Sequence, residues 1–125
     1  MVYLVIISNV DVGPGIKELE NDLDNSFITD ATFIGRASGN SMEGVGIFSG
    51  DLLIIDRAAT VKHGDVIVAA LNGLFVCKIA DLKNNRLLSA NPDHPAVKIT
   101  EHDEYNVEGV VGQSIRLHRT SNLLG

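Results

Sequence analysis

The sequence predicts a mainly β, barrel-like domain of short strands with a flexible N-terminal arm. Three observations lead there. Apolar residues fall in short runs rich in Val and Ile, such as Leu52 to Ile55 and Val66 to Leu71. Glycine, asparagine and proline punctuate those runs closely, which is how short antiparallel strands are joined. Only one stretch, Ile16, Leu19 and Leu23, carries apolar residues at helical spacing. With 125 residues, 45% hydrophobic and 21% charged, the chain has the material for one ordinary core.

Val2 to Ile7 is a β-branched run, read as an extended arm of the kind that pairs with an edge strand. Asp11-Val12-Gly13-Pro14-Gly15 interrupts it, and a short acidic helix over Ile16 to Leu23 follows. Ala31 to Arg36 reads as a strand entering Ala37-Ser38-Gly39-Asn40-Ser41-Met42, a stretch surrounded by turns and not by helix. Leu52 to Ile55 lacks alternation, which predicts burial on both faces. Ala58 to Gly64 is a loop.

Val66 to Leu71, Asn72-Gly73 and Leu74 to Ala80 form the clearest local pattern. Asn-Gly supplies both positive φ angles of a tight hairpin turn, so Leu71 should face Leu74 and Ile67 should face Lys78. Leu74, Val76, Lys78 and Ala80 then share one face, with Phe75, Cys77 and Ile79 on the other. Arg86 to Ala90, Val97 to Ile99 and Tyr105 to Leu117 complete the strands, with Gly109 and Gly112 marking bends or bulges in the last. Phe33, Phe48 and Phe75 are expected in the core, and Arg116, His118 and Arg119 read as a solvated basic strand end.

A net charge of −6 opposes direct binding to nucleic acid, which rewards clustered Lys and Arg. The single cysteine, Cys77, has no disulfide partner in the chain and reads as a core thiol. His63, His94, His102 and His118 have no metal-ligand spacing, so neither a metal nor a cofactor is expected. Asp51 and Asp56 flank a buried strand and suit capping or turn roles. Met1 to Val10 is too short to cross a bilayer and lacks a basic leader, so the expected location is the cytoplasm, with no membrane partner.

Ser41 is the candidate nucleophile, and it needs a base. Lys78 is the candidate for that role. A free lysine is neutral in only about one molecule in a thousand near pH 7.4. Burial on an apolar strand lowers its pKa by up to about 3 to 5 pH units, giving an amine able to take the serine proton. The backbone N–H groups of Ser41 and Met42 are candidates to hold the oxyanion. The plainer alternative is that the serines are turn formers and Lys78 guards a strand edge.

A resemblance decides between these. The Ala37 to Met42 stretch, Gly44 to Asp56, His63 to Ala69, Gly73 to Lys78, Leu88-Ser89-Ala90-Asn91-Pro92 and Val107 to Val111 resemble, in order and spacing, the peptidase domain of the LexA/UmuD (S24) Ser-Lys peptidase family. The similarity covers 17–125, which makes 1–16 the arm, and it leans toward the UmuD-like branch. It implies a LexA/signal-peptidase-like β fold, with Ser41 as nucleophile and Lys78 as general base. It further implies autoproteolysis stimulated by the RecA filament on single-stranded DNA, a homodimer, and a processed form that serves as accessory subunit of an error-prone, UmuC-like Y-family DNA polymerase in SOS mutagenesis. The family cuts itself at an Ala-Gly or Cys-Gly bond, and neither dipeptide precedes Ser41. Val12–Gly13 is the remaining candidate scissile bond. The alternatives are a noncatalytic dimerisation and polymerase-binding module of the same fold, or a detached C-terminal domain of a LexA-like repressor.

Overall fold

The computed structural model describes residues 3–7, as backbone, and 31–118. The expected helix over Ile16 to Leu23, the Val12–Gly13 bond, the 16/17 boundary and Arg119 lie outside the described residues. Eight strands form one antiparallel sheet: β1 (Tyr3–Ile7), β2 (Thr32–Ser38), β3 (Leu52–Asp56), β4 (Val66–Leu71), β5 (Leu74–Asp81), β6 (Arg86–Leu88), β7 (Val97–Lys98) and β8 (Tyr105–Ile115). Their spatial order is β1-β2-β3-β8-β4-β5-β6-β7. The sheet curls so strongly that β1, at its edge, also packs beside β5. The expected arm thus pairs antiparallel with β2, Tyr3 opposite Ser38 and Ile7 opposite Ile34.

The β4–β5 hairpin has the register that its turn dictates, Leu71 against Leu74 and Ile67 against Lys78. Asn72 and Gly73 carry φ angles of 49° and 84°, as a two-residue turn with the sheet's twist requires. Because side chains alternate along β5, its two faces enter separate clusters. Cys77 and Ile79 pack with Phe33, Ala37, Met42, Leu53, Ile55 and Val68. Val76 and Ala80 pack with Ile67, Ala69, Leu71 and Leu87. Leu52 to Ile55 is buried throughout, as its unbroken apolar run predicts.

β8 is bent where its glycines sit. Ile54 faces Gln113 while Ile55 faces Val111, which leaves Gly112 as the extra residue of a bulge. A second bulge leaves Glu108 unpaired between Val68–Gly109 and Ala69–Val107. Gly109 lies tight against β3: a Cβ there would stand 2.6 Å from Ile55 Cγ2 and 2.8 Å from the Asp56 carbonyl oxygen.

Four expectations need correction. Phe33 is core, but Phe48 and Phe75 are each 39% exposed. Phe75 stands at the outer end of the hairpin, beyond the clusters. The Arg116 guanidinium covers the Phe48 ring, 4.2 Å from its centroid. Arg116 is accordingly no solvated strand end. Its Nε and Nη2 reach the two Asp51 carboxylate oxygens at 2.9 and 3.0 Å. The strand expected over Arg86 to Ala90 stops at Leu88, because Ala90 turns its backbone N–H and C=O to the serine loop. Lys78 guards no edge, since β5 lies between β4 and β6.

Candidate active site

Ser41 lies in the loop that joins β2 to β3. The loop's base is stapled by Gly50 N–H to Ala37 O at 2.8 Å and Ala37 N–H to Asp51 O at 2.9 Å. Gly39, at φ 97°, turns the chain out of β2 in a conformation that favours glycine. Met42, wholly buried, then anchors the loop in the first core cluster, and a single 3-10 turn, Glu43–Val45, follows. The side chain preceding that anchor is Ser41, itself 0% exposed.

The Ser41 hydroxyl oxygen is buried and has no hydrogen-bond partner among the described residues. A buried hydroxyl without a partner is unfavourable by about 1–3 kcal/mol, so such an atom asks for a functional reason. Neither the Ser41 nor the Met42 N–H donates a backbone hydrogen bond among the described residues, whereas Glu43, Gly44, Val45, Gly46 and Ile47 all do. Among the described residues these two donors beside the serine are therefore left without a backbone acceptor.

Lys78 is 3% exposed, a lysine pressed into an interior strand. Burial pulls its pKa below the usual lysine value, since removing water penalises the ammonium and spares the amine; the neighbouring Cys77 opposes this weakly. The same burial pushes the Cys77 thiol up to about 12. Cys77 is thus a core thiol and not a nucleophile.

No hydrogen bond joins Ser41 to Lys78. Both are instead held by one short segment, 89–94, whose first two residues the sequence predicts as strand. The β5–β6 register sets Ile79 opposite Leu88. Continued by one residue, it puts Ser89 opposite Lys78 on the same face, and Lys78 Nζ donates to Ser89 Oγ at 2.6 Å. The next residue turns to the serine loop: Ala90 N–H donates to Ser41 O at 2.7 Å, and Gly44 N–H donates to Ala90 O at 2.7 Å. Asn91 Nδ2 donates to Asn40 O at 3.0 Å, and His94 Nε2 meets Asn40 Oδ1 at 2.7 Å. The strap 89–94 thus touches both the Lys78 amine and the serine loop, while Ser41 and Lys78 share no hydrogen bond with each other.

Among the described residues no three His, Cys, Asp or Glu side chains are grouped as a metal ion would need, and no helix is long and apolar enough to cross a membrane. Asp51 and Asp56 do structural work. Asp51 accepts from Arg116 and from the Phe48 N–H at 2.9 Å, and Asp56 accepts from the Ala58 N–H at 2.8 Å.

Residues 5–112 match the model of the Peptidase S24-like family. Protein ImpA of Salmonella typhimurium is 37% identical over 114 residues, which span 88% of this chain and 77% of that protein. Protein SamA of Salmonella typhimurium is 37% identical over 93 residues, 74% of this chain and 64% of that protein. The LexA repressor of Syntrophotalea carbinolica is 36% identical over 91 residues, but the match spans only 45% of that protein. A curled antiparallel sheet, a turn-borne serine, a buried strand lysine and a match over most of its length together place this chain in the LexA/UmuD family of S24 peptidases.

Proposed function

We propose that the chain is a Ser-Lys peptidase of the UmuD-like branch, with Ser41 as nucleophile and Lys78 as general base. The observation that carries this reading is the buried, unpartnered Ser41 hydroxyl, set beside a strap that also holds a buried lysine amine. In the reaction, Ser41 Oγ bonds to the carbonyl carbon of a peptide as its proton passes to the neutral Lys78 Nζ. The carbonyl electron pair moves to oxygen, where the Ser41 and Met42 N–H groups receive it. The oxyanion then re-forms the carbonyl, the C–N bond breaks, and the leaving amine takes the proton back from Lys78. Water, giving its proton to Lys78, attacks the resulting ester. The Ser41 oxygen departs with that proton, restoring both residues.

The proposal extends to regulation and partners: cleavage stimulated by the RecA filament, a homodimer, and a processed form that joins an error-prone Y-family polymerase. Support for these comes from the family, whose members here include a repressor and the ImpA and SamA proteins. The bond cut, in place of the missing Ala-Gly or Cys-Gly, is Val12–Gly13. The second reading, a noncatalytic binding module, takes its support from the absence of a Ser41–Lys78 hydrogen bond. Incubating the purified chain at alkaline pH, or with RecA on single-stranded DNA, separates the two. The peptidase yields fragments that mass spectrometry assigns to one bond and that Ser41→Ala and Lys78→Ala both abolish. An intact chain that also leaves an added ImpA-like substrate uncut establishes the binding module.

A further inference from the structure

We infer that Ser89 is a third member of this site, a positioning residue that holds the Lys78 amine with its lone pair turned toward Ser41. The inference deepens the peptidase reading and rests on it for its catalytic consequence, though not for its effect on Lys78. A neutral amine has two N–H bonds and one lone pair. Only the lone pair accepts a proton, so a base is useful when its N–H bonds are engaged elsewhere. The 2.6 Å contact from Lys78 Nζ to Ser89 Oγ engages one of them. It does so from the residue just past the end of β6, one step beyond the Ile79–Leu88 pair. The following residue, Ala90, binds the Ser41 carbonyl, so the hydroxyl that aims the base is one residue from the peptide group that anchors the nucleophile.

Among the described residues no other group takes the Lys78 amine's hydrogen bond. β4, packed on one side of β5, carries no titratable side chain. On the other side β6 offers Arg86, which is bound to Asp81 at 2.6 Å. β5 itself adds Cys77 and Asp81, and the serine loop contributes Glu43 after Met42. None of these accepts a hydrogen bond from Lys78 Nζ among the described residues, whereas Ser89 does.

The hydroxyl, accepting from nitrogen, favours the ammonium over the amine, because a bond to a charged donor is the stronger one. Its removal therefore has a paired signature that simple loosening of the fold does not produce. Lysine labelled with carbon-13 at Cε, followed by NMR across pH in the intact chain with Lys78→Met for assignment, reads the Lys78 midpoint directly. In Ser89→Ala that midpoint falls by about one pH unit, while the cleavage rate at its alkaline plateau falls about tenfold or more. Ser89→Thr, which keeps the hydroxyl, restores both. An unchanged midpoint and plateau in Ser89→Ala overturns the inference, as does a midpoint that rises, which would mean the hydroxyl occupies the lone pair. A lowered midpoint with an unchanged plateau overturns the positioning role. Should no form cleave, the peptidase reading fails, and the midpoint alone decides whether Ser89 holds Lys78. If Ser89→Ala does not fold, Ser89→Cys, of similar volume but a poorer acceptor, shows the same two changes at smaller size or refutes them.

Discussion

Asp51 and Arg116, 65 positions apart in the chain, form a two-point ion pair in which one carboxylate oxygen takes Nε and the other takes Nη2. Asp51 is almost completely buried, and Arg116 also donates to the Gly46 carbonyl at 3.1 Å. The pair clamps the end of β8 onto the loop that carries Ser41.

Breaking that clamp lowers stability in a pH-dependent way. Burial alone would raise the Asp51 pKa, but the Arg116 bonds and the Phe48 N–H outweigh it and hold the carboxyl below its usual value. A carboxyl with a depressed folded pKa stabilises fully above its unfolded pKa, and the contribution is lost as pH falls through the folded one. Asp51→Ala should therefore reduce unfolding free energy by about 1–3 kcal/mol at pH 7. The difference from the wild type should shrink progressively below pH 4 or so. Urea titrations at several pH values check this, and a pH-independent difference would refute the ionic origin.

Lys78 is expected to trade stability against chemistry. Its folded pKa lies below that of the unfolded chain because burial penalises the ammonium. Between those two pKa values the unfolded chain binds more protons, so stability rises with pH across that window. Lys78→Met, of similar length and without a charge to bury, should melt a few degrees higher than the wild type near neutrality. That gap should close as pH rises toward about 10. The variant should show no cleavage. Calorimetry across pH, with a cleavage assay beside it, measures both effects.

Gly44 and Gly109 separate damage to the site from damage to the fold. A Cβ on Gly44 would drive into the Ala90 carbonyl oxygen, the atom that receives its own N–H. Gly44→Ala should therefore push the strap off the serine loop and reduce cleavage about tenfold or more, a shift of under an ångström in catalytic geometry being enough. Gly109→Ala instead forces β8 from β3, against Ile55 and Asp56 and not against the strap, and should destabilise by about 1–3 kcal/mol. Cleavage kinetics on samples matched for folded fraction distinguish them. Equal loss of cleavage per folded molecule in both would refute the assignment.

Cys77 reports on the same core. With its thiol pushed up to about 12 and no exposure, it should resist a disulfide reagent at pH 8 in the native chain and react in denaturant. Fast native labelling would contradict the burial of this strand.

Local chemistry was legible in the sequence, and long-range chemistry less so. Asn72-Gly73 determines its hairpin because the positive φ angles belong to those two residues, and the register of Lys78 against Ile67 follows. The unbroken run over β3 announces double burial for the same local reason. Ser89 was hidden because the β5–β6 connection carries no comparable turn signature, so nothing in Arg86 to Ala90 says which residue of β5 each will face. Phe48 misled because its shielding comes from a guanidinium far along the chain, a cover that hydrophobicity does not encode. The family resemblance supplied Ser41 and Lys78 together, but their common support at Ser89 and Ala90 is a property of the folded register.

That shared support has a consequence for precision. Two groups mounted on separate strands of a breathing sheet drift independently, and the gap between them varies by the sum of both wanderings. Here consecutive residues of a single peptide unit touch the lysine amine and the serine carbonyl. A displacement of that unit should therefore carry the lysine amine and the serine backbone together and change their separation less than it moves either. The dipeptide behaves as the jaw of a caliper, keeping its spacing even while the arms that carry it flex.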